Sequence, residues 1–249
     1  MGAGRVQGRV TPVSSVDLAV EIAADPGRVR STLGGALAVW LRPIGLETRG
    51  DGETVVVVTG DEPVRITHHD DGLDTEIDEG GATVSTAWTV AGRADRTTVV
   101  TCRSTGAADP AAFGERMTTV LVALAAHLEH FPDPPGTEMH AWGPSRGRTA
   151  ESTAEQAHAR FLSQVGVVAP RQEFHTFRGL PAMSGTCLER RGGRHHSAAV
   201  ILLDDPLPGV AVFATSGAPP VHEIRALLFG DETVAERLQA QWAAWLAAA

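Results

Sequence analysis

The sequence predicts an α+β fold in two domains, and three of its features lead there. From residues 16 to 23 apolar and other residues alternate, with Val16, Leu18, Val20 and Ile22 on one face and Asp17, Ala19, Glu21 and Ala23 on the other, the period-2 pattern of a half-buried strand. Four further β-type runs, at 64–68, 75–77, 83–90 and 97–103, are separated by short Gly- and Asp-rich turns, which makes them an antiparallel meander. Asp109-Pro110 then supplies an N-cap and a first-turn proline. After it Phe113, Met117, Val120, Leu121, Leu124 and Leu128 recur at helical spacing, the stripe by which a helix buries one side.

The remaining elements follow the same logic. Asp25-Pro26 opens a helix carrying Val29, Leu33, Leu37, Trp40 and Leu41 and running to Pro43. Gly34-Gly35 is where that helix would break, because glycine lowers helix propensity. The valine run at 54–59, after a Gly50-Asp51-Gly52 turn, reads as a strand, since β-branched side chains suit a pleated surface.

Residues 132–149 hold a concentration of proline and glycine that interrupts both helix and sheet. The domain boundary is therefore placed there, between a first domain at 14–131 and a second at 150–249. The second reads as a helix at 150–164, strands near 173–177, 185–190, 198–203, 210–214 and 221–229, and a final helix from Asp231. That last helix bears Val234, Leu238, Trp242, Trp245 and Leu246 on its apolar side. Like the first half, it ends in strand, turn and amphipathic helix.

Composition excludes several classes of function. The 249 residues are 43% hydrophobic and 20% charged, enough to bury a core and unlike a disordered chain. Thirty acidic against 21 basic residues give a formal charge of −9, so a nucleic-acid backbone would be repelled. Every basic residue is arginine, and tyrosine is absent as well. Schiff-base or lysine-base chemistry and a tyrosine acid are thereby ruled out. Cys102 and Cys187 lie one in each half, neither a disulfide framework nor a metal spacing, which fits a reducing, cytoplasmic location. The opening residues lack the apolar core of a signal peptide, no long apolar run is present, and Val6 stands where a myristoylation signal needs Ser or Thr. No membrane association is expected.

Certain residues of the first half carry a family resemblance. The stretch Ile22-Ala23-Ala24-Asp25-Pro26-Gly27-Arg28-Val29, Trp40-Leu41, the Trp88 strand, Thr97-Thr98-Val99, and Leu124 with Leu128-Glu129 together resemble the START-like (SRPBCC) superfamily, and within it the Hsp90-ATPase-activator-like domains. The resemblance covers about half the chain, and its motifs are structural. It departs from the family pattern in a short connection after the first helix and in lacking a Trp-Trp pair.

The resemblance implies a helix-grip fold, in which a curved antiparallel sheet wraps a long C-terminal helix and a cavity lies between them. The second, smaller α+β domain would be a reduced repeat, although no clean first strand and cap precede its helix. The ligand-binding residues so implied are Val56, Ile66, His68, Trp88 and Cys102 from the sheet and Phe113, Met117 and Leu121 from the helix. Each also suits an ordinary core, and a cavity needs a few polar groups converging on it. His68, Thr86, Cys102 and Arg103 are the candidates.

Catalytic signatures are weak by comparison. His127 and His130 are spaced to share a helix face, but no further ligands are indicated. There is no G-x-S-x-G elbow and no phosphate-binding glycine loop. The acidic pairs fall in turns, where solvated charges are usual. The expected function is therefore non-catalytic binding of an apolar small molecule, with no cofactor and no metal. Two other functions follow from the resemblance: a co-chaperone-like module binding a chaperone-type protein, and a polyketide cyclase or aromatase using His68 and Arg103.

Overall fold

The computed structural model describes residues 7–11, 15–41, 46–50, 54–59, 62–79, 82–93, 97–131, 136–145, 153–167 and 169–248. The turns expected at 51–53, 80–81 and 94–96, and the start of the second-domain helix at 150–152, lie outside them, as does Val6. The chain divides into two compact units, Met1–Pro132 and Asp133–Ala249.

In the first unit β1 (Gln7–Thr11) and β2 (Ser15–Ile22) precede α1 (Pro26–Leu41). Strands β3 (Leu46–Gly50), β4 (Thr54–Thr59), β5 (Glu62–His69), β6 (Gly72–Glu79), β7 (Ala82–Gly92) and β8 (Thr98–Thr105) lead into α2 (Pro110–His130). The sheet order is β1-β2-β8-β7-β6-β5-β4-β3, antiparallel throughout. The first long strand thus pairs with the last, and the meander fans out from that pair. Helix α2 packs on β2 and on α1. Its Gly114 lies over Val16, where even an added Cβ would sit 3.4 Å from a Val16 methyl. This is a helix-grip unit.

Helix α1 is continuous, which corrects the expected break at Gly34-Gly35. A Cβ on Gly34 would fall 2.5 Å from Cε1 of His68, so the glycine is where the helix and the β5 side chain approach most closely. Helix α2 starts where the sequence places it. The Asp109 carboxylate accepts hydrogen bonds from the backbone N–H groups of Ala111 and Ala112, both at 3.0 Å, satisfying two donors that helix geometry leaves orphaned. Asp109→Ala is expected to lower stability by about 1 kcal/mol; an unchanged urea midpoint would show that water replaces the cap at no cost.

The second unit repeats this order. β9 (Thr137–Pro144) and α3 (Ala154–Val165) are followed by β10 (Glu173–His175), β11 (Ser184–Arg191), β12 (His196–Asp205), β13 (Gly209–Ser216), β14 (Val221–Leu228) and α4 (Glu232–Ala248). The sheet runs β10-β11-β12-β13-β14-β9, so the first strand again pairs with the last. Helix α4 packs on β9, close enough that a Cβ on Gly143 would lie 2.7 Å from the Leu246 carbonyl oxygen.

Two expectations are corrected here. Residues 137–144 are a strand rather than part of a linker at 132–149: in β9 Met139 and Ala141 point inward to the core while Trp142 stays exposed. The unit also has a clean first strand and cap, because Thr153 and Gln156 form a capping box at the start of α3. Its core gathers Phe161, Phe174, Phe213 and Trp242 between the helices and the sheet, all at most 0% exposed. The indole N–H of Trp242 donates to Met183 Sδ at 2.9 Å.

Candidate functional site

Antiparallel pairing puts directly opposed residues on the same face of a sheet, so the register of the first unit specifies what its helices meet. One rung runs Leu18–Cys102–Trp88–Leu73–His68 across β2, β8, β7, β6 and β5. The next runs Val16–Ser104–Thr86–Thr75–Ile66 across the same strands. Since Val16 faces α2, both rungs lie on the helix side.

The structure therefore brings six of the eight expected site residues onto defined places of this interior. Ile66, Trp88 and Cys102 are buried on the sheet side, and Met117 and Leu121 are buried on α2. Phe113, a turn earlier, is buried too and carries the Arg116 guanidinium over its ring, 5.8 Å from the centroid. His68 shares the inner face but is exposed at its rim, with its ring against Gly34. The Val56 side chain lies outside the described residues.

The second rung is unusual in holding three hydroxyls in a row. Thr75, Thr86 and Ser104 are each at most 2% exposed. Thr86 Oγ1 and Ser104 Oγ share a hydrogen bond of 2.7 Å, and the Trp88 indole N–H donates to Thr75 Oγ1 at 3.0 Å. A hydroxyl carries one proton. The Thr86–Ser104 bond uses one of two protons, and Thr75 acts there as acceptor, so two O–H donors remain in an otherwise apolar interior. Thr86 was among the expected polar groups; Thr75 and Ser104 were not, although their inward parity with Ile77 and Cys102 was legible.

Two expected polar groups change character. Arg103 is corrected: it lies on the opposite face, since Cys102 and Ser104 beside it turn inward, and its 72%-exposed side chain pairs with Asp17 at 2.6 Å. The Cys102 thiol is pushed up to about 12, first by burial and further by the Asp17 charge, against the lowering effect of a hydrogen bond with the Leu18 backbone. It stays protonated at neutral pH and is no nucleophile.

A second polar cluster lies inside the other unit, and the sequence reading missed it. On the inner rung Ser197–Thr215–His222–Gly143, Thr215 Oγ1 sits 2.9 Å from His222 Nδ1 and 3.1 Å from His158 Nδ1. The single hydroxyl proton can be donated to only one of the two ring nitrogens, and the imidazole that accepts it is neutral. Burial lowers His158 to about 3, assisted by the Arg190, His196 and His222 charges. Burial likewise lowers His222 to about 4, with Arg160 contributing. His222 also stacks on Phe161 at 4.4 Å. The signal was available: His158 falls on the α3 stripe with Ala154, Ala157, Phe161, Leu162 and Val165.

Among the described residues no group of three or more His, Cys, Asp or Glu side chains could hold a metal ion. No helix among them is long and apolar enough to cross a membrane.

The fold and interior define an α+β protein of two helix-grip units, the first with a hydroxyl-bearing apolar interior. No family model matches the chain, and no curated protein matches it. Among solved structures it is similar to DynU16, a putative protein in the dynemicin biosynthetic locus, at 15% identity over 95% of this chain and 97% of that one, TM-score 0.39. It is similar to the di-domain ARO/CYC StfQ from the steffimycin biosynthetic pathway at 10% identity over 93% and 98%, TM-score 0.41. CalU16 from Micromonospora echinospora is similar over 47% of this chain and 80% of its own, at 15% identity and TM-score 0.36.

Proposed function

We propose that the first unit binds an apolar small molecule carrying an acceptor oxygen, held between its helices and the inner face of its sheet without covalent chemistry. The lining comprises Ile66, His68, Trp88 and Cys102 from the strands and Phe113, Met117 and Leu121 from α2. The observation that supports this reading best is the hydroxyl rung: two buried O–H donors in an apolar setting match the general make-up of ligand sites, mostly apolar with a few placed polar groups. A buried donor without an acceptor costs about 1–3 kcal/mol, a cost that a ligand carbonyl would remove.

Prodan, a neutral naphthalene ketone whose emission reports polarity and hydrogen bonding, tests this directly. The folded protein is expected to bind it saturably with blue-shifted emission. Thr86→Val with Ser104→Ala deletes both partners of one bond together and so leaves no orphan. That pair is expected to weaken binding about 3- to 10-fold, the worth of one neutral hydrogen bond. Absence of saturable binding, or equal affinity in the double variant, would remove the reading.

Catalysis by His68 and Arg103 on a polyketone is not supported, because Arg103 lies on the outer face. A co-chaperone role ranks lower for a different reason. The exposed large apolar side chains among the described residues are Trp142 and Phe177, both in the second unit, whereas the resemblance that implies such a role is carried by the first.

A further inference from the structure

Helix α4 presents Val234, Arg237, Leu238, Gln241, Ala244 and Trp245 along one face, at the i, i+3, i+4, i+7 spacing of helix neighbours. Opposite this face runs the loop from Gly179 to Ala182, with Pro206 beside it, and between them lies a groove of about 560 Å³. That volume falls inside the roughly 300–1,000 Å³ range of small-molecule sites.

The walls are built rather than loose. The loop is clamped at its base, where Thr176 N–H donates to the Met183 carbonyl and Met183 N–H donates to Thr176 Oγ1, both at 3.0 Å. Leu180 N–H closes a further turn onto the Phe177 carbonyl at 3.1 Å. Leu180, Val234 and Trp245 pack on the unit's core yet remain only partly buried, so apolar surface faces the groove.

Its charge is the informative part. Arg237 lines the groove and forms no ion pair among the described residues. The carboxylate that acts on it electrostatically, Asp231, is itself engaged by Thr233. A guanidinium beside a partly uncovered tryptophan and leucine suits an anion that is also apolar.

We propose that this groove of the second unit is a binding site for a small apolar molecule ending in a carboxylate or sulfonate. The apolar body lies on Leu180, Leu238 and Trp245, the anionic end is bound by Arg237, and Gln241 offers an additional donor. The site is separate from the first unit's interior and does not depend on it.

The test compares 1-anilinonaphthalene-8-sulfonate with N-phenyl-1-naphthylamine, the same aromatic framework without the sulfonate, on the full chain. The sulfonate dye is expected to bind saturably. Arg237→Gln, an exposed change that leaves the core alone, should raise its dissociation constant about tenfold or more, the usual worth of a charge-assisted hydrogen bond, while moving that of the neutral dye by less than about twofold. Ala244→Trp, also at an exposed position, fills the groove and should abolish binding of the sulfonate dye. Arg237→Gln should leave Prodan affinity at the parent value, which keeps this site distinct from the first unit's. Equal sulfonate affinity in Arg237→Gln, or undiminished binding in Ala244→Trp, overturns the proposal.

Discussion

Replacing Trp88 by alanine is expected to destabilise the first unit by about 3–5 kcal/mol if the surrounding interior is closed, since the void left by an indole cannot be refilled. Trp88 is 1% exposed and ranks among the largest fully buried side chains. It sits mid-rung between Cys102 and Leu73 and gives Thr75 its hydrogen-bond donor. Truncation therefore removes packing and a buried hydrogen bond together. If part of the indole instead borders a ligand space, the loss of stability is smaller and Prodan affinity falls. Met117→Ala, on the facing helix, should follow the same pattern at about 2–5 kcal/mol. Urea midpoints and dye titrations on both variants separate the cases: full destabilisation with unchanged binding per folded molecule would reject a ligand space at this position.

Acid should destabilise the second unit well before its carboxylates titrate. His158 and His222 have folded-state values near 3 and 4, below the ordinary value of about 6.5. The unfolded chain therefore takes up protons at these positions first as pH falls, and stability is lost from about pH 6.5 down to about pH 4, by about 1.4 kcal/mol per proton per pH unit. With two such groups the loss across this window is a sizeable fraction of the stability of an ordinary domain.

Glu223 adds a separate, lower window. Burial would raise its carboxyl, but the His140 hydrogen bond and the Arg225 charge outweigh it and hold the group at about 2. Its contribution is present above the ordinary glutamate range and disappears only as pH falls through it. Urea midpoints followed from pH 7 to 4.5 should show a slope about two protons steeper in the parent than in His158→Gln with His222→Gln. The slope, unlike the absolute stability, is insensitive to a lower baseline in the variant. Identical slopes would mean that the two imidazoles take up protons without unfolding.

Local patterns decided most of the fold. The alternation at Val16–Ile22, the two Asp-Pro helix starts and the stripe on α2 depend on neighbours in the chain, and the structure keeps each of them. Strand β9 escaped notice because its prolines and glycines lie at or beside its ends: Pro144 closes it, and Gly143 is there to admit the Leu246 carbonyl of α4. Only the partner strand β14 and the helix above explain that composition. The same holds at Gly34, which looks like a helix breaker until His68 is seen against it.

The sequence by itself determined the class of fold, the order of its elements apart from β1, β3 and β9, and the inward parity of Trp88, Cys102 and Met117, because periodicity records which face a residue takes. The tertiary structure alone decided which inward residues stand side by side. Thr75, Thr86 and Ser104 come from three strands, and His158, Thr215 and His222 from a helix and two strands. Arg237 meets Leu180 only where α4 passes a loop more than fifty residues earlier. Such groupings depend on strand register and helix docking, and both are settled by contacts between segments far apart in the chain, which local spacing does not encode.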